Sequence, residues 1–211
     1  MKLISLIISF AFLSSCAKSQ NKDKSIQLGS KIPLPHEAVA TFAEGCFWHT
    51  EIVFQSLTGV RDAVSGYSGG TDPKPDYERV CTGKTGHAEA VQVYYDPSVI
   101  SYESLVKAFF ASHDPTTLNR QGNDSGTQYR SVAFYRTENE KRIVETEMKR
   151  ISESKKYNSK IVTQVVPFEK FYPAEEYHQD YFENNPNQPY CQLIVNPKVQ
   201  KFKKKFASLL K

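Results

Sequence analysis

The stretch AVATFAEGCFWHTEIVFQSL, residues 38–57, combines a strand pattern, a turn and a helix pattern. Residues 38–43 form an apolar run typical of a buried strand, and the apolar residues of 52–57 suit a helix packed on a core. Gly45 lets the backbone turn between the two without steric cost. The pattern therefore predicts Cys46 at the point where a strand turns into a helix.

This position favours a reactive role for Cys46. A cysteine in the first turn of a helix faces unpaired N–H groups and the positive end of the helix dipole, which favour thiolate over thiol. Phe47 and Trp48 place two large apolar side chains beside the sulfur, which suits a small apolar substrate group. The alternative is a buried structural cysteine, in general the commoner case. The turn and the neighbouring tryptophan favour the nucleophile.

The rest of the chain alternates strand and helix patterns. The predicted strands are 60–67, 87–95, 129–135 and 161–166, and the predicted helices are 101–113, 137–154, 174–182 and one beginning at Pro197. Asp76, Ser101 and Thr137 are predicted N-caps, the last within a capping box. This order of elements predicts an α/β domain with helices packed on a mixed or antiparallel sheet.

The strand at 87–95 carries a candidate acid. With a period of two, Glu89 lies on the same face as Val91 and Val93. If that face is buried, burial raises the pKa of Glu89 and keeps it protonated near neutral pH, where it can act as a general acid. If Glu89 lies at the strand end, it reaches water or an arginine instead. The strand alone does not decide between these two interpretations.

The first residues predict export rather than a part of the fold. A lysine at position 2 precedes a short apolar run over 3–13, which is too short to span a bilayer. The ending Leu13-Ser14-Ser15-Cys16 resembles the bacterial lipobox, which implies cleavage before Cys16 and lipid on that residue. We therefore expect a signal peptide at 1–15 and a lipid-anchored tether and lead-in at 16–37. The domain is then held in the cell envelope, facing the periplasm if the cell has an outer membrane. An ordinary cleaved signal with an incidental Cys16 is the alternative.

Composition and charge narrow the possible classes. The 211 residues suffice for one domain with a sizeable core, and no fibrous or disordered class fits. The net charge of +4 comes largely from lysines near the C-terminus and does not indicate nucleic-acid binding. If Cys16 carries lipid, Cys46, Cys81 and Cys191 remain. An odd number in an oxidising compartment leaves at least one thiol unpaired or redox-active.

Four motifs in matching order carry a resemblance to a known family. They are GCFW at 45–48, GYSGG at 66–70, GHAEAV at 86–91 and GNDSGTQYRS at 122–131. Together they resemble the peptide methionine sulfoxide reductase A family, over roughly residues 38–182. The resemblance implies a two-layer α/β sandwich with a mixed sheet and a ferredoxin-like core, which we place at 38–211. It also implies thiol-dependent reduction of methionine S-sulfoxide, free or in proteins.

The resemblance further implies roles for individual residues. Cys46 would attack the sulfoxide sulfur, and protonated Glu89 would donate its proton to the sulfoxide oxygen. Methionine would leave, and Cys46 would become a sulfenic acid, the first step of thiol oxidation. The residues implied in substrate binding are Phe47 and Trp48 at the methyl group, Tyr77 and Tyr129 at the oxygen, and Asp124 in support of the pocket. No metal or organic cofactor is implied.

The resemblance implies a second thiol that converts the sulfenic acid to a disulfide, which a thioredoxin-like dithiol then reduces. Cys191 is the candidate resolving residue, because it lies in an irregular C-terminal segment as resolving cysteines of the family do. Cys81 resembles a buried structural position of the family. The chain departs from members that have a cysteine where it carries His49, and from members with two cysteines in the tail. The resemblance therefore specifies the recycling route less closely than the catalytic step.

Two other functions remain open. One is a lipid-anchored metal or ligand carrier with Cys46 as a ligand, although the histidines lack the paired spacing of metal sites. Glu175 and His178 share a helical face, but a single such pair is a weak signal on a helix expected to be solvated. The other is a thiol peroxidase. Bound metal, or turnover of peroxide without sulfoxide turnover, would distinguish them. The motifs favour a monomeric reductase that repairs oxidised envelope proteins.

Overall fold

The structure is a computed structural model, and it describes residues 32–211. The predicted signal peptide, Cys16 and most of the predicted tether lie outside the described residues. The described chain forms a six-stranded sheet, a two-stranded hairpin and a set of helices. Within it, no helix is both long enough and apolar enough to cross a membrane.

The elements are numbered here in chain order. The strands are β1 Ala38–Glu44, β2 Val60–Ser68, β3 Ala88–Tyr95, β4 Arg120–Gln121, β5 Asp124–Ser125, β6 Ser131–Tyr135, β7 Gln164–Pro167 and β8 Phe171–Pro173. The α-helices are α1 Phe47–Gln55, α2 Tyr77–Cys81, α3 Tyr102–Ser112, α4 Glu138–Glu153, α5 Tyr181–Asn184 and α6 Asn196–Lys205. A π-helical turn, Cys191–Val195, precedes α6.

The large sheet is mixed. Its strand order is β7-β6-β1-β3-β2-β8, and its neighbours are antiparallel except for β6 and β7, which are parallel. The four central strands with α1 and α3 follow the β-α-β-β-α-β order of the ferredoxin-like motif. The predicted α/β fold with a mixed sheet is therefore confirmed.

The helices cover one face of this sheet. Alternation along β1 turns Phe42 toward them, where its ring stacks 5.2 Å from that of Phe54 on α1 and 5.1 Å from that of Phe109 on α3. The opposite face carries a smaller apolar cluster that includes Ala43. Burying one large aromatic side chain contributes roughly 1.5–3 kcal/mol, so the Phe42 cluster fixes the strand and the helix on either side of Cys46.

The predicted N-caps are confirmed. The side chains of Asp76, Ser101 and Thr137 each accept a hydrogen bond from a backbone N–H in the first turn of the helix that follows. In the capping box of α4, Glu140 accepts from the N–H of Arg136 rather than from that of Thr137. The reciprocal bond is thus displaced by one residue.

Four segments differ from the sequence prediction. The polar loop near residue 122 contains the β4–β5 hairpin, and β8 had no counterpart in the predicted strands. The strand predicted at 161–166 is shorter and later, at Gln164–Pro167. The helix predicted at 174–182 is a 3₁₀ turn and then α5, separated by Asp180 with a φ of 52°. A residue in the left-handed region cannot continue a right-handed helix.

The elements that hold the candidate residues meet at one end of the sheet. β1 ends there and leads into α1, and β3 begins beside it. The chain between β2 and β3, residues 69–87, makes an excursion that contains α2. Arg130 donates to the carbonyl oxygens of Gly69 and Gly86, at 3.3 and 2.8 Å, and so holds the two ends of the excursion together.

Candidate active site

Cys46 is the N-cap residue of α1, at the strand-to-helix turn predicted for it. Gly45 before it has a φ of +109°, a conformation that L side chains rarely adopt. A Cβ atom at Gly45 would also lie 2.7 Å from Cβ of Gln121. Glycine is therefore required at this turn, and the turn sets the position of the sulfur.

The surroundings of Cys46 keep it protonated in the free protein. Burial, followed by the negative charge of Glu89, raises the pKa of the thiol well above its ordinary value. The N–H groups of Trp48 and His49 and the hydroxyl of Tyr190 act in the opposite direction but do not prevail. The helix start therefore acts toward the thiolate as expected, but desolvation outweighs it.

Glu89 lies on the helix-covered face of β3 and is 2% exposed. Its Oε2 atom accepts a hydrogen bond of 3.0 Å from the N–H of Phe47, the residue next to Cys46. The pKa of Glu89 is raised to about 8, mainly by burial. The hydrogen bond from Phe47 opposes this increase, and the charge of Asp124 adds to it. Of the two interpretations of the strand, the buried one holds, and the carboxyl carries its proton at neutral pH.

Aromatic rings surround Phe47. Its ring centroid lies 4.9 Å from that of His178, 5.9 Å from that of Tyr67, and 6.4 Å from those of Trp48 and Tyr77. Phe47 is buried and Trp48 is half-buried, so one side of the cluster remains accessible. The cluster forms an apolar wall next to Cys46 that can hold a small apolar group.

The indole ring of Trp48 is fixed on two sides. Its Nε1–H donates to Nδ1 of His178 at 3.1 Å, and its ring stacks on Tyr181 with centroids 3.7 Å apart and planes 8° from parallel. His178 is 2% exposed. The prediction of a solvated helix here was therefore wrong: the segment packs its histidine beneath the aromatic wall.

Tyr77 and Tyr129 share the electrostatic environment of Cys46 and Glu89. Tyr77 begins α2, and Tyr129 ends the 3₁₀ turn that precedes β6. Burial raises the pKa of both phenols well above the ordinary value, and the charge of Glu89 is the next largest cause for each. Both hydroxyls therefore stay protonated and can donate hydrogen bonds at neutral pH.

Asp124 meets the nucleophile through Tyr190. The Tyr190 hydroxyl donates to Oδ2 of Asp124 at 2.7 Å, and it also forms a hydrogen bond with the side chain of Cys46. Asp124 belongs to the β4–β5 hairpin, while Tyr190 directly precedes the π-helical turn. This contact joins the C-terminal segment to the sulfur of Cys46.

The other two thiols are not where the sequence predicted them. Cys191 is buried and begins the π-helical turn, rather than lying in an irregular tail. Cys81 is exposed and not buried, because it ends α2 while the preceding Val80 fills the core. The thiol of Cys81 forms a hydrogen bond with the Tyr77 side chain. Cys46, Cys81 and Cys191 are all free thiols.

His49 lies on α1, three residues after Cys46. It is 4% exposed, and burial lowers its pKa to about 3. Its Nδ1 atom lies 3.8 Å from Oε1 of Glu44, which is also buried. His49 is therefore a neutral packed side chain. Among residues 32–211, no group of three or more His, Cys, Asp or Glu side chains is placed to hold a metal ion.

The sequence of residues 38–210 matches the family described as peptide methionine sulfoxide reductase. The chain belongs to this family of oxidoreductases. One relative, peptide methionine sulfoxide reductase MsrA of Sulfolobus acidocaldarius, is 55% identical over 168 residues, which is 80% of this chain and 94% of the relative. The expected family and enzyme class are therefore confirmed.

Solved structures agree with this family assignment. Reduced Mxr1 from Saccharomyces cerevisiae is 37% identical, with a TM-score of 0.70 over 76% of this chain and 92% of that chain. Mxr1 in complex with Trx2 is 28% identical, with a TM-score of 0.52 over 72% of this chain and 91% of that chain. The α/β fold of the reductase is thus shared.

Several residues of the reductase site were missed from the sequence. Tyr190 had one signal, its position next to the candidate resolving residue Cys191. His178 had only the weak signal of its pairing with Glu175, and Tyr181 had none, because the broken helix at 174–182 hid which of its side chains point inward. Phe47, Trp48, Tyr77, Tyr129 and Asp124 are placed around Cys46 and Glu89, and their roles remain predictions.

Proposed function

We propose that this reductase acts on methionine S-sulfoxide with Cys46 as the nucleophile and Glu89 as the proton donor. The main support is the hydrogen bond of 3.0 Å from the Phe47 N–H to Glu89, which holds a buried acid on the residue next to the nucleophile. A carboxyl that keeps its proton to about pH 8 can deliver it to a sulfoxide oxygen at neutral pH.

The proposed step conserves protons and electrons. The Cys46 sulfur attacks the sulfoxide sulfur and loses its proton, while Glu89 gives a proton to the sulfoxide oxygen. The hydroxyl then moves to the Cys46 sulfur: a bond between oxygen and the Cys46 sulfur forms, while the bond from oxygen to the methionine sulfur and the transient bond between the two sulfurs break. Methionine leaves, and Cys46 becomes a sulfenic acid. The two electrons that reduce the sulfoxide come from the Cys46 sulfur. The thiol proton restores the protonated Glu89.

Each group of the proposed substrate matches side chains of the same polarity in the site. The methyl group contacts Phe47 and Trp48, which are apolar and next to the sulfur. Tyr77 and Tyr129 donate hydrogen bonds to the sulfoxide oxygen, since both phenols keep their protons. Asp124 supports the pocket through its hydrogen bond with Tyr190. These donors stabilise the charge that develops on oxygen as the bond breaks.

Cys191 resolves the sulfenic acid in this proposal. Cys191 directly follows Tyr190, and the Tyr190 hydroxyl forms a hydrogen bond with the side chain of Cys46. The second thiol is therefore adjacent in sequence to a residue that contacts the nucleophile. Because Cys191 is buried in the π-helical turn, that turn opens before the two sulfurs meet. Water leaves as the disulfide forms, and a thioredoxin-like dithiol reduces it.

A single turnover with mass detection tests this chemistry. The reduced domain, without its predicted signal, is mixed with methionine S-sulfoxide and no reductant, and methionine and peptide-mapped disulfides are measured. Methionine with a Cys46–Cys191 bond supports both steps. Methionine with another bond, or with none, keeps the reductase and removes Cys191 as the resolving residue. No methionine from either sulfoxide epimer contradicts the proposed reaction.

The proposal extends to the location of the enzyme. Residues 1–15 are a lipoprotein signal, Cys16 carries lipid, and a short polar tether joins the membrane to a monomeric catalytic domain. More than one acyl chain gives a stable anchor, whereas a single chain binds marginally. The substrates are then oxidised proteins of the cell envelope, and the reductant is a dithiol protein outside the cytoplasm.

Mass spectrometry of the N-terminal peptide tests the anchor. Lipidated Cys16 at the new N-terminus supports it, and a Cys16→Ser variant should leave the membrane fraction. An unmodified Cys16 within a longer chain, or cleavage at another site, contradicts the proposed anchor. Neither outcome bears on the reductase chemistry.

A further inference from the structure

The carboxylate of Glu175 joins several parts of the aromatic wall. Its Oε1 atom accepts from the backbone N–H of Tyr77 at 2.9 Å, and its Oε2 atom accepts from the hydroxyl of Tyr67 at 2.9 Å. Nε2 of His178 lies 3.9 Å from the same Oε2. One side chain, outside the residues given a role so far, thus touches three members of the cluster around Phe47.

Glu175 is itself held by the sheet. β8 pairs with β2, so that Tyr172 lies opposite Tyr67, and the N–H of Ala174 donates to the carbonyl oxygen of Ser65 at 2.9 Å. Burial acts to raise the pKa of Glu175, but the Tyr77 and Tyr67 hydrogen bonds help to hold it below the ordinary value. The group is therefore an ionised acceptor at a fixed point of the fold.

The helix α2 depends on this contact. Its other hydrogen bonds in the described chain, such as that from Val80 to Asp76, stay within the excursion at 69–87. The bond from Tyr77 to Glu175 is the one that links α2 to residues beyond that excursion. The buried side chain of Val80 keeps α2 against the core. Apolar burial is non-directional, so it constrains the rotation of the helix about its axis less than a hydrogen bond does.

We infer that Glu175 is a positioning residue for the reductase step, acting through the backbone of Tyr77. Its carboxylate fixes the first residue of α2, and this sets where the Tyr77 phenol meets the sulfoxide oxygen. The inference rests on the proposed role of Tyr77. Hydrogen bonds to an ionised acceptor are stronger than neutral ones, and a displacement of about 1 Å in a catalytic group can cost about a hundredfold in rate.

The first test compares three variants in single turnovers over a range of sulfoxide concentrations. Glu175→Ala removes both hydrogen bonds, and we expect the saturating rate to fall about tenfold with less than about a twofold change in half-saturating concentration. Glu175→Gln should recover most of the rate, because its amide oxygen accepts from Tyr77 and its NH₂ group can donate to Tyr67. Glu176→Ala, at the exposed next residue, is the matched control and should match the wild type.

A double-mutant cycle with Tyr77→Phe separates positioning from general support. If Glu175 acts through Tyr77, Glu175→Ala lowers the rate in the wild type and causes no further fall in the Tyr77→Phe background. Equal effects in both backgrounds, or a Glu175→Ala variant with the wild-type rate, overturn the inference. If Glu175→Ala does not fold, Glu175→Asp replaces it, since the shorter carboxylate stays charged but cannot span both partners.

The same experiment separates this inference from the proposed function. An unimpaired Tyr77→Phe variant overturns the inference and the role of Tyr77 and leaves Cys46 and Glu89 in place. A wild-type chain that forms no methionine overturns the reaction and the inference together. An impaired Tyr77→Phe variant with additive effects overturns the inference alone.

Discussion

In the structure, both Cys46 and Glu89 keep their protons at neutral pH, whereas the start of a helix alone favours a thiolate at Cys46. Burial raises the pKa of both groups, and a negative charge on Glu89 raises the pKa of Cys46 further. The free enzyme at neutral pH is therefore a thiol beside a carboxylic acid. In the proposed reaction, the thiol becomes a nucleophile only as the sulfoxide arrives, when the positive end of the S–O dipole stabilises the attacking sulfur.

Replacement of Glu89 by glutamine tests the proton donor. The side-chain amide of the Glu89→Gln variant still offers an oxygen to the Phe47 N–H but has no acidic proton, so methionine formation should slow by about 10²- to 10⁴-fold. The measurement is the rate of methionine release in a single turnover, with a thermal melt as the control for folding. Full activity in a folded variant would remove Glu89 as the general acid.

The pH dependence of the same step gives a second test of Glu89. The rate should be level near neutral pH and fall as the pH rises through about 8, because Glu89 then loses the proton that it donates. The fall should be absent in Glu89→Gln. A rate that instead increases through this range would mean that ionisation of Cys46, and not proton donation, limits the step.

Among the elements, the π-helical turn Cys191–Val195 is the one that the proposed recycling must change. π-helical turns are rare and often lie at functional sites. The segment is held at both ends. Before it, Tyr190 forms a hydrogen bond with Asp124, and after it, Val199 and Phe202 of α6 are buried in the core. In the proposed recycling, we therefore expect the movement that exposes Cys191 to stay within the turn itself, with α6 left on the domain.

A serine at position 191 tests this element. The variant Cys191→Ser should release one methionine per chain and then stall with a thioredoxin-type reductant, leaving Cys46 as a sulfenic acid. Trapping with a sulfenic-acid probe and counting methionine per chain measures this. Cys81→Ser is the control and should turn over repeatedly. Continued turnover in Cys191→Ser would instead indicate direct reduction of the sulfenic acid or a role for Cys81.

The sequence predicted some elements better than others for physical reasons. β1, α1 and β3 follow from periodicity and from the glycine at residue 45, which are local signals. The segment at 174–182 was mispredicted because contacts with Trp48 and with the sheet, not local preference, break it at Asp180. Tyr190 and Glu175 were missed because their partners are distant in the chain. The local sequence pattern predicted the position of the nucleophile, but it could not predict which side chains of the C-terminal third lie in the site.

For the molecule as a whole, α1 contains one buried acid, Glu51, and contacts a second, Glu89. Glu51 is 2% exposed and accepts from the N–H of Ser65 at 3.3 Å, and burial together with the charge of Asp180 raises its pKa to about 8. Glu89, which accepts from the N–H of Phe47 at the start of α1, has the same raised pKa. The folded chain therefore keeps protons that the unfolded chain releases near pH 4.5, the ordinary value for both.

Glu51 and Glu89 should consequently lower the stability of the domain as the pH rises, while His49, whose pKa is lowered to about 3, acts in the opposite direction up to about pH 6.5. A raised pKa in the folded state gives a contribution that is complete below about pH 4.5 and is lost as the pH rises through about 8. The slope for each fully released proton is about 1.4 kcal/mol per pH unit at most. The Glu51→Gln variant lacks the contribution of Glu51 to this slope. Between about pH 4.5 and pH 8, its free energy of unfolding, measured in urea, should therefore decline less than that of the wild type. The exposed Glu145→Gln variant should keep the wild-type slope, and an equal slope in Glu51→Gln would mean that Glu51 is ionised in the folded domain.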